Sequence, residues 1–257
     1  MYPIPLSILI ILLGLVIGSF LNVCIYRIPL NRSIVRGRSR CPACRNVIPW
    51  YLNIPVFSYI VLRGRCRACG EPISLRYPLV EILNALLTYG AFLRYGFSTA
   101  AILAALFFSA LIVVSFIDLA HQIIPNGLVI CILILGALNA FNQTSVFGES
   151  WTVYVIGILA ASLPLYLLGL LLPESLGGGD VKLMASAGLF LGWKLILLAL
   201  LLGDFIALIY VFVLIIQRKF SRKTPIPFGP FLSAGMVFSL LFGDYLIGLY
   251  LRLILSS

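Results

Sequence analysis

Charged side chains are scarce in this chain, and acidic ones are the scarcest: eight Asp and Glu stand against eighteen Lys and Arg in 257 residues. Only 10% of the residues are charged, 62% are hydrophobic, and the mean hydropathy is +1.13. A soluble globular domain needs more charge than this on its surface, so the composition excludes one. A single histidine leaves almost no room for histidine-based metal or triad chemistry.

Long apolar runs fill most of the chain. The first, residues 6–25, has about the ~20 residues needed to cross a bilayer. It has no basic segment before it and no A-x-A site, so we do not expect a cleaved signal peptide. Five further runs, each long enough to span, cover residues 78–94, 99–117, 126–142, 151–172 and 230–255.

The stretch 181–217 is ambiguous, because it is apolar over nearly twice the length of one span. It is interrupted by Gly-Trp-Lys at 192–194 and followed by four basic residues, Arg218, Lys219, Arg222 and Lys223. Counted from an N-terminus outside the cytoplasm, the spans place residues 177–180 at the cytoplasmic side. Basic residues favour the same side, so the four after residue 217 should lie there too, which requires two short crossings in between. One long, tilted helix is the alternative.

Ten of the arginines lie between Arg27 and Arg76. In a membrane protein such a cluster indicates a cytoplasmic segment that contacts anionic lipid; we expect no nucleic acid partner. The prediction is an all-α polytopic membrane protein with about eight transmembrane helices. Residues 1–26 form the first span, 27–77 a small cytoplasmic domain, and 78–257 the membrane core.

Four of the six cysteines form two C-x2-C pairs in the cytoplasmic segment, Cys41 with Cys44 and Cys66 with Cys69. The 21 residues between the pairs are close to the spacing of four-cysteine zinc ribbons. Four thiolates close a tetrahedron, so a metal here, most simply zinc, is expected to be structural. Two disulfides, disfavoured in the reducing cytoplasm, and metal-free thiols are the alternatives.

Two acids mark the candidate site. Asp118 ends the third span and Asp180 follows three glycines, Gly177 to Gly179, just before a helix. With residues 27–77 in the cytoplasm and each span crossing in the opposite direction to the one before, Asp118 and Asp180 both lie at the cytoplasmic side. Two carboxyl groups there could activate one water for hydrolysis. Glycines without a Cβ let backbone or an extended substrate approach the carboxylate.

Helix ends divide the roles in this hypothesis. A carboxylate is disfavoured at a helix C-terminus and favoured at an N-terminus, so Asp118 is predicted as the acid and Asp180, beside Lys182, as the base. The alternative is that both are interfacial caps or solvated loop residues. Asp204, in the middle of an apolar run, is a rival functional acid; the roles of Asp204 and Glu81 stay open.

Besides the cysteine pairs, the chain has these recognisable segments in order: Gly18-Ser-Phe-Leu-Asn-Val, Tyr26-Arg-Ile-Pro29, Ile48-Pro-Trp-Tyr-Leu-Asn-Ile-Pro55, Leu62-Arg-Gly-Arg-Cys66, Ser74-Leu-Arg-Tyr-Pro-Leu-Val-Glu81, Ile117-Asp118, Gly177-Gly-Gly-Asp-Val-Lys-Leu183 and Ile226-Pro-Phe-Gly-Pro230. In these segments and their order the chain resembles the bacterial type IV prepilin peptidases, which are GxGD-type membrane aspartyl proteases. The resemblance extends over the whole chain.

The resemblance implies an endopeptidase of the bacterial inner membrane that removes the leader of type IV prepilin or pseudopilin precursors at the cytoplasmic face. Asp118 and Asp180 match the catalytic pair, with Gly177, Gly179 and Lys182 in the active-site loop. It also implies S-adenosylmethionine-dependent methylation of the new N-terminus. Ile124-Pro125-Asn126 departs from the Leu-Pro-Asp often found in the family. A transporter or a secretion-machine subunit with intramembrane acids is the alternative function.

Overall fold

The fold is described here from a computed structural model for residues 3–142, 150–171, 177–219 and 226–255. These ranges contain eight α-helices, one 3-10 helix at Trp50–Asn53 and no extended strand. The helices are α1 (Ile4–Arg27), α2 (Phe57–Val61), α3 (Arg76–Tyr95), α4 (Thr99–His121), α5 (Asn126–Phe141), α6 (Trp151–Leu171), α7 (Gly178–Ile216) and α8 (Gly229–Leu255).

Every apolar stretch expected from the sequence forms a helix, with ends close to those predicted. Five helices, α1, α4, α6, α7 and α8, are long and apolar enough to cross a membrane, and α5 is a shorter apolar helix. The all-α, multi-pass architecture is therefore confirmed, while the count of eight crossings stays a prediction. That count depends in part on Arg222 and Lys223, which lie outside the described residues.

The chain divides into two compact units, residues 1–113 and 114–257. In the first unit α1 and α3 pack antiparallel along their length. The Asn22 side chain donates to the carbonyl of Tyr77 (3.1 Å), and Asn84 donates to the carbonyl of Gly14 (2.7 Å). A Cβ placed on Gly18 would lie 2.6 Å from the Cα of Glu81, so the two helices touch backbone to backbone at that level.

Between α1 and α3 the chain forms a small domain with little regular structure. Two isolated bridges, Arg40 with Val47 and Arg65 with Pro72, flank the cysteine pairs. The Arg27 guanidinium at the end of α1 donates to the carbonyls of Ser33 (3.0 Å), Arg36 (2.7 Å) and Gly37 (3.1 Å). This arginine therefore folds the loop that follows it. The predicted three-part domain division stays a prediction.

In the second unit α7 is interrupted at Gly192, whose φ of 76° and ψ of 169° are not helical. The contacts of its two legs run in opposite directions. In the first leg, Lys182 contacts Asn126 at the start of α5, and the carbonyl of Phe190 accepts from Asn139 near the end of α5. The first leg is therefore parallel to α5.

The second leg of α7 is antiparallel to α8. The carbonyl of Leu195 accepts from Ser239 (2.7 Å), deep in α8, while Tyr210 stacks on Phe231 at the start of α8. The start of α8 also contacts Asp118, described below, so the second leg returns to the end from which the first leg begins. This agrees with two short helical segments in 181–217 and disagrees with one continuous helix.

Candidate active site and metal centre

Asp118 lies in the last turn of α4, and only 6% of its surface is exposed. Its Oδ2 accepts a hydrogen bond of 2.9 Å from the backbone N–H of Gly229. Gly229 is the first residue of α8, where backbone N–H groups have no partner inside the helix. The helix start thus supplies a donor that fixes the orientation of the Asp118 carboxylate.

Gly229 has no room for a side chain. A Cβ there would lie 2.9 Å from Oδ2 and 3.2 Å from Cγ of Asp118. The segment Ile226 to Pro230 is part of the family resemblance, but nothing in the sequence alone assigns it to the site. No spacing rule links residue 118 with residue 229, so the folded structure, in which the start of α8 lies at the end of α4, was needed to find this contact.

Asp180 lies in the first turn of α7 and is 9% exposed. Gly177 is extended, and its carbonyl accepts the N–H of Asp180 (3.0 Å), so the glycine loop folds directly into the helix. A Cβ on Gly177 would lie 3.1 Å from Oδ2 of Asp180, and one on Gly179 would lie 3.1 Å from the Cβ of Ile124. Gly178, between them, faces open space.

The two carboxyl groups lie close enough for the charge of Asp118 to act on Asp180. They come from different helices, α4 and α7, and the contact of Gly179 with Ile124 holds the glycine loop beside the segment that follows Asp118. Both side chains are buried, so neither is a solvated loop residue. Asp118 also caps the start of α8 through the Gly229 N–H, and its assignment as a catalytic residue stays a prediction. Two carboxyl groups that lie this close to each other are what acid–base hydrolysis by a shared water requires.

The four predicted metal-ligating cysteines converge. Their Sγ atoms all lie within 4.8 Å of one another, and those of Cys41 and Cys69 are 3.9 Å apart. Tetrahedral coordination with metal–sulfur bonds of ~2.3 Å requires sulfur–sulfur separations of roughly 3.8 Å. The donor set and its spacing therefore fit a tetrahedral thiolate-bound metal. None of the six cysteines, all of which lie in the described part of the chain, is in a disulfide.

The two cysteine pairs lie in two turns of the same conformation. In each, the N–H of the first cysteine donates to a carbonyl five residues on: Cys41 to Asn46 (3.0 Å) and Cys66 to Glu71 (2.8 Å). The residue just after each pair, Arg45 or Gly70, has a positive φ, of 58° and 75° respectively. Two copies of one turn thus present two thiols each to a common centre.

The thiols of the second pair differ in acidity. Hydrogen bonds from the backbone N–H groups of Cys69 and Ala68 lower the pKa of the Cys66 thiol to about 7. The Glu71 N–H lowers the pKa of Cys69, but partial burial and the other three cysteines outweigh it and raise that pKa to about 12. Crowded thiols resist losing several protons unless a cation offsets the charge, which a metal at the centre supplies.

Comparison with known proteins identifies the chain. One family model, the bacterial peptidase A24 N-terminal domain, matches residues 12–95, and a second, the type IV leader peptidase family, matches residues 105–212. A Bacillus subtilis protein is 34% identical over 252 residues, covering 98% of this chain and 100% of the relative. The chain belongs to the type IV leader peptidase family.

Other relatives carry the same name as the Bacillus subtilis protein, prepilin leader peptidase/N-methyltransferase. One from Pseudomonas aeruginosa is 33% identical over 276 residues, covering 98% of this chain and 95% of the relative. One from Myxococcus xanthus is 41% identical over 200 residues, covering 77% of this chain and 60% of that longer relative. No solved structure matches the chain. Family membership decides for a peptidase over the transporter alternative.

Three other candidate residues lie in environments different from that of the carboxyl pair: Lys182, Asp204 and Glu81. Lys182 is exposed, and its Nζ contacts Oδ1 of Asn126 at 3.3 Å, so the residue that replaces the family's frequent aspartate is its hydrogen-bond partner. Asp204 is exposed on the second leg of α7, beside the buried face that packs on α8. Glu81 is buried in the first unit, where its Oε2 accepts from the N–H of Val56 (2.7 Å).

Proposed function

We propose that this leader peptidase cleaves the leader from type IV prepilin or pseudopilin precursors, with Asp118 and Asp180 activating a shared water at the cytoplasmic face of the bacterial inner membrane. The observation that carries the proposal is the burial of two carboxyl groups from distant parts of the chain, close enough for the charge of one to act on the other. The substrate class comes from the relatives, which are named prepilin leader peptidase/N-methyltransferase.

The chemistry needs one charged and one protonated carboxyl group. The base removes a proton from water as its oxygen attacks the scissile carbonyl, and the acid gives its proton to the departing amide nitrogen. Two neighbouring carboxyls readily share a single proton, since both cannot be charged at low cost. The pair therefore supplies both the base and the acid that the reaction needs.

One contact bears on the division of roles. The Gly229 N–H donates to Asp118, and a charged carboxylate accepts such a bond more strongly than a neutral carboxyl group does. This favours the opposite of the assignment made from helix ends: Asp118 as the base and Asp180 as the acid. Isotope-edited infrared spectroscopy of the resting enzyme should show Asp180 protonated and Asp118 ionised; the reverse pattern would restore the earlier assignment.

The test of the dyad is cleavage of a co-expressed prepilin by Asp118→Asn and Asp180→Asn variants that still insert in the membrane. Each should lose activity by about 100-fold or more, because general acid–base chemistry alone contributes 10²–10⁴-fold. Asp204→Asn is the matched control, an acid removed from α7 without change to the pair, and should cleave normally. Near-normal turnover by either dyad variant would exclude the proposed mechanism.

The cytoplasmic orientation rests on the positive-inside tendency of the arginines between α1 and α3. If each of the two legs of α7 crosses the membrane, Lys219 lies on the same side of the membrane as the arginine cluster. Cysteines introduced one at a time at Arg38 and Lys219, in a variant lacking Cys131, should react only with a reagent that reaches the cytoplasm, as read by mass spectrometry of the peptide that carries each new cysteine. Labelling of Lys219→Cys from the opposite side would contradict the two-leg topology.

Zinc is the proposed occupant of the cysteine centre, where Cys41, Cys44, Cys66 and Cys69 would hold it. It would act as a structural clip, since four protein ligands leave no open position for a substrate. The exposed arginines of this domain are proposed to contact anionic lipid headgroups. Arg27 is excepted, because its guanidinium is used within the chain.

N-methylation with S-adenosylmethionine is proposed from the relatives' names alone. A cavity of about 210 Å³ between α1, α3 and α4 is lined by apolar side chains, with Thr88 and Ser109 as its polar members. It offers no carboxylate for ribose hydroxyls and no partner for a charged amino acid group. The cavity does not fit this cofactor, and we assign no residue to it.

A further inference from the structure

Within the four-cysteine domain, residues 50–61 expose a group of large apolar side chains. Ser58 is buried, and its hydroxyl donates to the carbonyl of Tyr51 (3.4 Å), which folds the segment on itself. The apolar side chains point the other way: Phe57 is 59% exposed and Ile60 is 66% exposed, and Trp50, Ile54 and Val61 are exposed as well. An aqueous surface rarely carries such a contiguous patch without a partner.

The depth of this segment is fixed by Glu81. Its carboxyl accepts the N–H of Val56 at 2.7 Å and lies beside Ser19 of α1. Glu81 packs against Gly18, nine residues before the end of α1 at Arg27. At 1.5 Å per helical residue, Val56 therefore lies about 13 Å inside the end of α1 and about 8 Å inside the start of α3.

The backbone at Val56 shows that this placement is built in. Its φ of 60° and ψ of −48° are unfavourable for a β-branched residue, and such a conformation persists only where surrounding contacts determine it. The Glu81 hydrogen bond, on the amide of the same residue, is the contact that holds it. The neighbouring surface of α3 is apolar at this level, where Leu79 and Ile82 are exposed.

We infer that residues 54–61 form a membrane-inserted segment of an otherwise extramembrane domain, held at that depth by the carboxyl of Glu81. The partner of Phe57, Ile60 and Val61 is the acyl-chain region of the bilayer, continuous with the lipid-facing surfaces of α1 and α3. Trp50, at the edge of the segment, lies at the interface between headgroups and hydrocarbon, which tryptophan favours. The cysteine domain is thereby anchored to the membrane between its two flanking helices.

Fluorescence quenching by brominated lipids tests this inference in the full-length protein. The three native tryptophans, Trp50, Trp151 and Trp193, are changed to Phe, and one reporter is introduced as Phe57→Trp. In bilayers of phosphatidylcholine brominated near the start of the acyl chains, the reporter should lose roughly half or more of its fluorescence. Ile60→Trp is a second reporter if the first variant fails to fold, with prepilin cleavage as the check.

Two matched positions calibrate the result. Leu9→Trp, on the exposed face of α1, should be quenched strongly by bromine placed deeper in the chains. Val35→Trp, 85% exposed in the arginine-rich loop of the same domain, should be quenched little. Reporters at 57 and 60 that behave like Val35→Trp, while Leu9→Trp is quenched, would overturn the inference, whether water or protein covers the segment.

The role of Glu81 is tested in the same assay. Glu81→Gln keeps an oxygen that can accept the Val56 N–H and should leave the quenching of Phe57→Trp unchanged. Glu81→Leu removes the acceptor, so the quenching should fall toward the level of Val35→Trp. Unchanged quenching in Glu81→Leu would show that the carboxyl does not set the depth.

Discussion

A residue without a side chain fixes the carboxylate of Asp118. The Gly229 N–H donates to Oδ2, and the absence of a Cβ lets that amide approach. Both features come from the start of α8, which is 111 residues from Asp118 in the chain. The precision of the site therefore depends on where one helix begins as much as on the acid itself.

Gly229→Ala should lower prepilin turnover by about tenfold to a hundredfold, because its Cβ would displace the carboxylate and small displacements of a catalytic group are costly. The measurement is the cleavage rate in membranes with matched protein levels. Gly248→Ala is the control. It lies in the same helix as Gly229, but a Cβ there meets nothing within 4 Å. Equal rates for the two variants would show that the Gly229 contact does not position Asp118.

The three glycines before Asp180 are not equivalent, so their alanine variants should differ in activity. Gly179→Ala should slow cleavage by about tenfold, since the new Cβ meets Ile124 and shifts the start of α7. Gly178→Ala, with open space around its Cβ, should cleave at nearly the wild-type rate. A strong loss at position 178 would indicate that the loop needs flexibility, or contacts substrate there.

At the scale of elements, the break in α7 decides how the second unit is built. Gly192 carries a φ of 76°, and on either side of it the chain packs against different helices, α5 and α6 before it and α8 after it. Such a φ is open to glycine at little cost and is strained for other residues. The interruption at 192–194 was visible in the sequence, but the direction of the second leg was not.

Gly192→Ala should destabilise the protein by about 1–3 kcal/mol through backbone strain, with a further clash because the Cβ would lie 2.9 Å from Val153 Cγ1. Thermal unfolding in detergent measures this as a lower midpoint. Gly127→Ala, at the start of α5 with nothing within 4 Å, should leave the midpoint nearly unchanged. A wild-type midpoint for Gly192→Ala would contradict the turn between the two legs.

At the scale of the whole molecule, the four-cysteine centre lies in a domain that has little other core. Apart from Cys41 and Ser58, few of its side chains are buried, and its regular structure is limited to one 3-10 turn and the short α2. A segment this short cannot bury enough apolar surface to fold by itself, so the metal is expected to supply much of its stability.

Removal of the metal should therefore loosen this domain first. A chelator should make all four cluster cysteines reactive to an alkylating reagent, as read by mass spectrometry of each peptide. Cys24 and Cys131, outside the cluster, are internal controls whose labelling should not change. Absence of bound metal in the purified protein, with four thiols that stay unreactive in chelator, would contradict the assignment.

The sequence by itself determined the class of molecule and the chemistry available to it. Apolar runs predict helices in lipid because their length and composition leave no other stable state, and α1, α4, α5, α6 and α8 follow the predicted bounds closely. Cysteine spacing predicts a metal turn because two thiols three residues apart already share one local geometry. The scarcity of acids made Asp118 and Asp180 easy to single out.

Only the tertiary structure decided what surrounds those residues. The Gly229 amide at Asp118, the partnership of Lys182 with Asn126, and the hold of Glu81 on Val56 each join positions 25 or more residues apart. Local patterns carry no information on such pairings, because they depend on which helix faces meet and in what register. Composition and spacing are properties of the chain alone, whereas contacts of this kind exist only after the helices have packed.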